Sequence, residues 1–186
     1  YGAGPVVMSI ALHPATDFVY LGTGRGVSEY DGVRWHYIDP PDRGPTRGAT
    51  VDSRGRIWTG RYNGVFLLEP DAAGELHLRP QPELLPPELR EIGSVRQVTN
   101  TPVGVCFTAR QNVIVIPPSG PLRAWRAEEP FGNTWWMNGA LHNSVAQRGT
   151  YRLEAGGGMT KLHQDSPVVL AARPGGADET LLLTTR

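Results

Sequence analysis

A short pattern recurs four times along the chain, and this repetition constrains the fold more than any other feature. Each copy has an apolar or aromatic pair, a small or polar step, and then Gly or Asn beside an apolar residue. The copies lie at 20–27, 58–65, 106–113 and, more loosely, 151–159. If Gly26, Gly64, Asn112 and Gly158 are equivalent points, the separations are 38, 48 and 46 residues. This period is close to the roughly 40–50 residues of a propeller blade.

Short apolar runs separated by turns fill the rest of the sequence. The 23 glycines and 17 prolines punctuate runs rich in Val, Ile, Leu, Thr and aromatic residues, and helical periodicity is almost absent. The pattern predicts an all-β fold: a β-propeller or part of one, with four to five four-stranded antiparallel blades in a single domain. The predicted blades span 6–39, 48–80, 95–128 and 140–166, with a partial fifth blade at 168–186.

Several dipeptides and glycines predict the turns. The pair Asp31-Gly32 is a strong hairpin signal between the third and fourth strands of the first blade. Four glycines are interpreted as turn residues that need a positive φ: Gly22, Gly26, Gly60 and Gly64. They form no G-x-x-x-x-G-K-[ST] motif and precede strands rather than helices, so no phosphate-binding loop is predicted.

Charge and composition narrow the range of partners. Eighteen basic residues balance eighteen acidic ones, so no net field attracts nucleic acid, and no nucleic-acid partner is predicted. No apolar run approaches the roughly 20 residues of a spanning helix, so we expect no membrane insertion by this chain. The single cysteine, Cys106, lies in an apolar run and is interpreted as a buried, inert thiol. Because the first residue is Tyr1 rather than Met, we interpret the chain as part of a longer protein.

The second repeat carries the clearest motif. Segment 52–60 reads DSRGRIWTG and is followed by NGV at 63–65, and the first repeat ends in Y-D-G-x-x-W at 30–35. These sequence motifs resemble the repeat of the two-component regulator propeller family, which reads approximately D-x-x-G-x-I-W-x-G-T-x-x-G-L. The phrase D-x-x-G-x-I-W is also similar to the streptogramin lyase and gluconolactonase-like propellers. The resemblance covers about two units, and it departs from the first family at Arg61 and Asn112.

The resemblance to the two-component regulator family implies a sensor region outside the cytoplasm. In that family such propellers precede a membrane span and an output such as a histidine kinase or a diguanylate cyclase. It therefore implies a periplasmic or other extracytoplasmic location, while the chain's own residues leave a cytoplasmic location open. The similar lyase and gluconolactonase-like propellers are enzymes, which keeps catalysis among the hypotheses.

One face of the predicted propeller is the expected binding surface. The loops from second to third strands and the loops between blades emerge on the same side, which we call the loop face. The first kind carries Arg25, Arg61 and Arg110, and the second kind spans 39–47, 80–94 and 127–139. These arginines are candidates for a cationic rim that binds an acidic ligand or partner, because guanidinium groups pair with carboxylates. The alternative is that they are solvated hairpin tips, and the same ambiguity holds for Arg43 and Arg47.

An aromatic segment before the fourth blade supplies the other candidates. Trp135 and Trp136 are followed by His142, which is predicted to lie on an inner strand near the channel mouth. Two interpretations stay open: the tryptophans pack between blades, or they form an aromatic wall for a ligand.

The chemistry of the sequence favours recognition over catalysis. It has no H-x-x-E-H, H-E-x-x-H or paired-cysteine motif, and its five histidines fall at different places in the repeat, so no metal site, cofactor or catalytic residue is predicted. The leading hypothesis is a non-catalytic propeller that binds a small molecule or a protein at the loop face, as the sensory input region of a bacterial signalling protein. The alternatives are a metal-dependent lyase or lactonase, a protein-interaction scaffold, and a partial propeller that completes itself as a homo-oligomer.

Overall fold

Successive antiparallel hairpins build the structure. The computed structural model describes residues 6–40, 44–163, 169–174 and 180–184. Two short 3₁₀ turns, Pro82–Leu84 and Pro87–Leu89, interrupt an otherwise all-strand arrangement. In the described part of the chain, no helix has the length and apolar character needed to cross a membrane.

Within the described residues, the strands form four sheets of four strands and one sheet of two, each in chain order and antiparallel. The first sheet contains β1 (Val7–Leu12), β2 (Val19–Thr23), β3 (Val27–Tyr30) and β4 (Trp35–Ile38). The second contains β5 (Gly48–Val51), β6 (Ile57–Arg61), β7 (Gly64–Pro70) and β8 (Leu76–Pro80). The third contains β9 (Gln97–Thr101), β10 (Gly104–Thr108), β11 (Asn112–Ile116) and β12 (Arg123–Arg126). The fourth contains β13 (Phe131–Met137), β14 (Ala140–Val145), β15 (Gly149–Leu153) and β16 (Met159–His163), and the fifth contains β17 (Val169–Pro174) and β18 (Thr180–Thr184). The predicted all-β architecture of four-stranded blades is confirmed.

The fourth sheet starts earlier than predicted. Its first strand, β13, begins at Phe131, whereas the sequence placed the blade at 140–166 and a loop at 127–139. The segment 140–145 is therefore the second strand of this sheet and not its inner strand. Asn138 and Gly139 have φ values of +49° and +74° and form the two-residue turn of the β13–β14 hairpin.

Apolar clusters fill the spaces between successive sheets. The first strands of neighbouring sheets lie side by side along one edge of the array. Three buried clusters separate the first four sheets, and their central members include Val27, Trp58 and Phe131. Cys106 belongs to the cluster between the third and fourth sheets, and burial raises its pKa to about 12, in keeping with an inert thiol.

One carboxylate explains the D-x-x-G-x-I-W phrase of the second repeat. Asp52 Oδ1 accepts hydrogen bonds from the backbone amides of Arg54 and Arg56, both at 2.9 Å. Its Oδ2 accepts from Arg56 Nε and from Trp58 Nε1, both at 2.8 Å. The motif therefore ties the β5–β6 turn to a buried tryptophan, and its role here is structural.

Two of the repeat glycines are required by close packing and not by their backbone angle. Gly22 and Gly60 lie inside β2 and β6, and neither they nor Gly64 has a positive φ, so that part of the prediction does not hold. A Cβ added to Gly60 would lie 2.8 Å from Val98 Cγ2 and still closer to Val95 Cγ1. At the β6–β7 turn it is Asn63, with φ +49°, that adopts the left-handed conformation.

At the β2–β3 turn of the first blade, Gly26 has the positive φ that Gly64 lacks at the corresponding turn of the second blade. Gly26 has φ +154° and Gly32 has φ +95°, and Asp31 Oδ1 accepts hydrogen bonds from the backbone amides of Val33 and Arg34. The carboxylate and Gly32 together close the β3–β4 hairpin at the predicted position.

Substituting Gly60 with alanine should lower the free energy of unfolding by about 2 kcal/mol, because the new methyl group overpacks the Val95–Val98 contact. Gly24 is the matched control, since an added Cβ there meets nothing within 4 Å. The Gly24→Ala variant should stay within about 0.5 kcal/mol of the original chain. Chemical denaturation monitored by tryptophan fluorescence measures both, and equal losses in the two variants would contradict the packing argument.

The first sheet exposes an apolar face on the side opposite the second sheet. The cross-strand pairs place Ile10 and Tyr37 on this face, and Leu12 and Trp35 beside them. Ile10 on β1 is 70% exposed and Trp35 on β4 is 42% exposed, so large apolar side chains on both edge strands of this sheet face solvent. This face has the same chemistry as the buried contacts between the other sheets, and the predicted homo-oligomer stays a prediction.

Candidate functional site

A polar cavity opens on the loop face between the second and third sheets. It has a volume of about 580 Å³, which is within the usual range for sites that bind small molecules. Its lining comes from the residue before β5, the β6–β7 turn, the linker from the second to the third sheet, the β10–β11 turn and the end of β12. The lining residues are Arg47, Tyr62, Glu88, Glu91, Ile92, Gly93, Ser94, Arg96, Arg110, Gln111, Asn112 and Arg126.

Four arginines dominate the charge of this loop-face cavity. Arg47 and Arg96 each precede the first strand of a sheet, Arg110 lies in the β10–β11 turn, and Arg126 ends β12. All four are exposed. Among the described residues, none of their guanidinium groups has a hydrogen bond or an ion pair. Their donors are therefore available to a ligand.

The linker that forms one wall is held in place by a reciprocal pair of contacts. Asn63 donates its backbone N–H to Gly93 O at 2.9 Å, and the Gly93 amide donates to Asn63 Oδ1 at 2.7 Å. Tyr62 pairs with Ser94 in a short β-bridge and exposes 71% of its surface. The wall is thus fixed, while the Tyr62 ring is free to contact a ligand.

A second cavity lies near the opposite face and differs in its electrostatics. It has a volume of about 330 Å³ and is lined by Arg54 and Arg56, among others. Arg56 pairs with Asp52, and Arg54 Nη2 donates to Pro118 O at 3.1 Å. Because its arginines already have partners, this cavity offers less to a charged ligand than the loop-face cavity does.

The three arginines predicted to form one rim do not lie together. Arg110 lines the loop-face cavity, whereas Arg25 is exposed in the β2–β3 turn of the first sheet and is not part of its lining. Arg61 is only 2% exposed; its Nη2 donates to Gly44 O at 3.0 Å and its guanidinium lies 5.5 Å from the centre of the Phe66 ring. Arg61 therefore holds the linker between the first two sheets, and Arg43 lies outside the described residues.

The aromatic candidates pack within the array and away from this cavity. Trp136 packs against the cluster between the third and fourth sheets. Trp135 lies on the opposite face of the fourth sheet, stacked on the ring of His142 with centroids 6.0 Å apart. The arrangement supports packing as the role of Trp136. Neither tryptophan lines the loop-face cavity with its four arginines.

His142 is buried, and its Nδ1 atom has no hydrogen-bond partner among the described residues. The pKa of His142 lies below the usual value near 6.5, and burial is the main cause. A backbone hydrogen bond at Ala140 opposes this shift, whereas the positive charge of Arg152, the neighbour of His142 in β15, adds to it. The folded chain therefore holds this histidine neutral at pH values where the unfolded chain protonates it.

The free energy of unfolding should consequently fall as the pH drops below about 6.5, because the unfolded state then binds a proton that folded His142 resists. The loss stops once the pH passes below the pKa of the folded state. His142→Gln should flatten this part of the profile, as measured by urea denaturation at pH 7.5, 6.5 and 5.5. A wild-type profile that overlays the variant's would show that His142 does not contribute.

Arg96 and Arg126 were missed as site residues by the sequence reasoning. A signal for Arg96 existed, because Arg47 and Arg96 occupy the same register position, immediately before the first strand of their sheets. Arg126 gave no comparable signal, since its place beside Asn112 depends on the pairing of β11 with β12.

No group of three or more His, Cys, Asp or Glu residues is placed to hold a metal ion within the described part of the chain.

Comparisons with known proteins bear on the fold. No protein-family model matches the chain, and no curated protein matches it significantly. Among solved structures, the chain is similar to a streptogramin B lyase at 17% identity and a TM-score of 0.65, covering 95% of this chain and 61% of the other. It is also similar to virginiamycin B lyase from Staphylococcus aureus, at 16% identity and a TM-score of 0.65, covering 96% of this chain and 64% of the other.

A third similar structure comes from a signalling protein. It is the extracellular domain of a protein assigned as a one-component system from B. thetaiotaomicron, with 13% identity and a TM-score of 0.63, covering 92% of this chain and 24% of the other. At such identities the likeness shows the fold alone, and that fold is a β-propeller. The chain spans less than two thirds of the length of each of these structures, and its membership of the two-component regulator propeller family stays a prediction.

Proposed function

We propose that this chain is a non-catalytic recognition propeller that binds a small ligand in the loop-face cavity. The observation that carries the proposal is the set of four arginines without partners around one polar cavity whose wall is fixed by Asn63 and Gly93. A cleft lined mainly by charges of one sign raises the local concentration of ligands of the opposite sign.

The proposed setting is the sensory input region of an extracytoplasmic bacterial signalling protein. The structural likeness to the extracellular domain of a one-component system supports this setting. Ligand binding between the second and third sheets would shift the packing of the blades, and an output region elsewhere in the signalling protein would respond to that shift. A protein that docks on the same face is the alternative partner.

A lyase is the second candidate function, because two of the similar structures are streptogramin or virginiamycin B lyases. The two candidates differ in the fate of the ligand. A recognition propeller returns its ligand unchanged, whereas a lyase converts it. Incubating the chain with a streptogramin B antibiotic, with and without Mg²⁺, and following the products by mass spectrometry therefore separates them.

The proposal is tested by a thermal-shift screen of neutral and charged small molecules against this chain. A ligand that binds only the folded state raises its stability, by about 2.7 kcal/mol at a hundredfold excess over Kd. The stabilisation should decline in an Arg110→Ala/Arg126→Ala double variant and persist in Arg34→Ala, an exposed arginine in the β3–β4 turn outside the cavity. Conversion of the ligand, or stabilisation that is equal in all variants, would overturn the proposal.

A further inference from the structure

The loop-face cavity has an excess of positive charge in a chain with none overall. Four arginines and two glutamates, Glu88 and Glu91, line it, which leaves two uncompensated positive charges, while the whole chain has eighteen basic and eighteen acidic residues. Like charges that share a cavity repel each other unless water or a counter-charge screens them. Such an excess is stabilised when an anion binds.

Three arginines elsewhere in the described residues do have an acidic partner. Arg56 pairs with Asp52, Arg148 with Glu129, and Arg152 with Glu154. In the loop-face cavity the two glutamates make no ion pair with the arginines, although they line the same space. The arrangement leaves the guanidinium groups with free, forked donors.

The remaining lining indicates the body of the ligand. Gln111, Asn112 and Ser94 provide polar groups, and Tyr62 provides an exposed ring. A volume of about 580 Å³ is larger than a single inorganic ion needs. The cavity therefore suits a small polar organic molecule more than a free inorganic anion.

We infer that the loop-face cavity binds a small organic dianion whose carboxylate or phosphate groups pair with the guanidinium groups of the four cavity arginines. Two negative charges match the two uncompensated positive ones, and planar guanidinium groups bind carboxylate and phosphate in a bidentate manner. The inference rests on the proposed function and names the ligand class for the same site.

The test uses isothermal titration calorimetry with pairs of probes, each pairing a dianion with a neutral counterpart that lacks its charged groups. Succinate is compared with succinamide, and glycerol 3-phosphate with glycerol, so that the two arms separate carboxylate from phosphate recognition. We expect saturable binding of at least one dianion and none of its neutral counterpart. The affinity should fall as ionic strength rises, because the pairing groups are exposed.

Variants locate the binding and assign its cause. Arg110→Ala/Arg126→Ala should weaken dianion binding at least about tenfold, while Arg34→Ala should leave it unchanged. Glu91→Gln should tighten it, because the variant removes a negative charge from the cavity without shortening the side chain. Circular dichroism confirms that each variant is folded.

The outcomes are distinguishable. Neutral probes that bind as well as the dianions, and whose binding is lost in the Arg110→Ala/Arg126→Ala variant, would overturn the ligand class and leave the recognition function standing. Dianion binding that ignores all three cavity substitutions, or no dianion binding at millimolar concentrations, would overturn the inference itself.

Discussion

Replacing Asp52 with alanine should lower the free energy of unfolding by about 3 kcal/mol, one of the two largest effects that we expect from a single substitution. The side chain is buried and accepts four hydrogen bonds, from two backbone amides, Arg56 Nε and Trp58 Nε1. Without it, the indole N–H of a buried tryptophan has no acceptor, and the cost of that unsatisfied donor adds to the lost bonds.

Asp71 provides the matched control for this prediction. It organises the β7–β8 turn in a similar way, accepting from the backbone amides of Ala73 and Glu75 and pairing with His77, but its side chain is 34% exposed. Water can replace the lost contacts there, so Asp71→Ala should cost only about 1 kcal/mol. Urea denaturation at pH 7 measures both, and comparable losses would show that burial of the Asp52 network is not what matters.

The effect of Asp52 should also depend on pH. Burial alone raises its pKa, but the hydrogen bonds from Trp58, from the backbone of Arg56 and Arg54 and from the Arg56 side chain outweigh burial and hold the pKa below its usual value. A depressed pKa in the folded state gives stability that is present above the unfolded-state value and is lost as the pH falls through the folded value. The difference between the original chain and Asp52→Ala should therefore shrink below about pH 4.

The strands that the sequence predicted well are those whose turns have strong local signals. Asp31-Gly32 closes the β3–β4 hairpin as predicted, because the Asp carboxylate binds the backbone amides of the next few residues. Asp71 acts in the same way in the β7–β8 turn. These interactions are local in sequence and can be recognised without knowing the fold.

The fourth sheet shows where local interpretation failed. The Asn138-Gly139 pair is a standard two-residue hairpin signal, but the sequence interpretation placed a loop between blades at 127–139, and β13 was not recognised as a strand. A register shift between Phe131 and Thr134 interrupts the alternation that would have marked this strand. The boundary of the fourth blade was misplaced because the apolar–polar alternation of β13 is interrupted, and not because a turn signal is lacking.

The glycines and the site depended on contacts that are distant in sequence. Gly60 is needed because Val95 of the linker and Val98 of β9 approach its backbone, and no pattern around Gly60 reveals that. The loop-face cavity likewise brings together Arg47 and Arg96, which precede the first strands of the second and third sheets, with Arg126 at the end of β12. The sequence could therefore indicate the loop face but not which residues line the cavity.

Trp125→Ala should cost about 4 kcal/mol, because it removes a large side chain from the cluster between the third and fourth sheets and leaves a cavity there. Trp125 is 2% exposed, and its Nε1 donates to Glu154 O at 3.0 Å, which joins β12 to the β15–β16 turn of the next sheet. The substitution therefore removes both packing and a hydrogen bond between two blades.

Trp35 is the control for residue type, because it also lies in the fourth strand of its sheet but is 42% exposed and stacks on Tyr30. Trp35→Ala should cost about 1 kcal/mol or less. Since Arg126 follows Trp125 directly in β12, Trp125→Ala should also weaken dianion binding at the loop-face cavity, and Trp35→Ala should not. Denaturation and calorimetry on the two variants measure both effects. Equal destabilisation by the two substitutions would mean that the contact between the third and fourth sheets contributes no more than an exposed tryptophan, and that the blades are held together mainly by other residues.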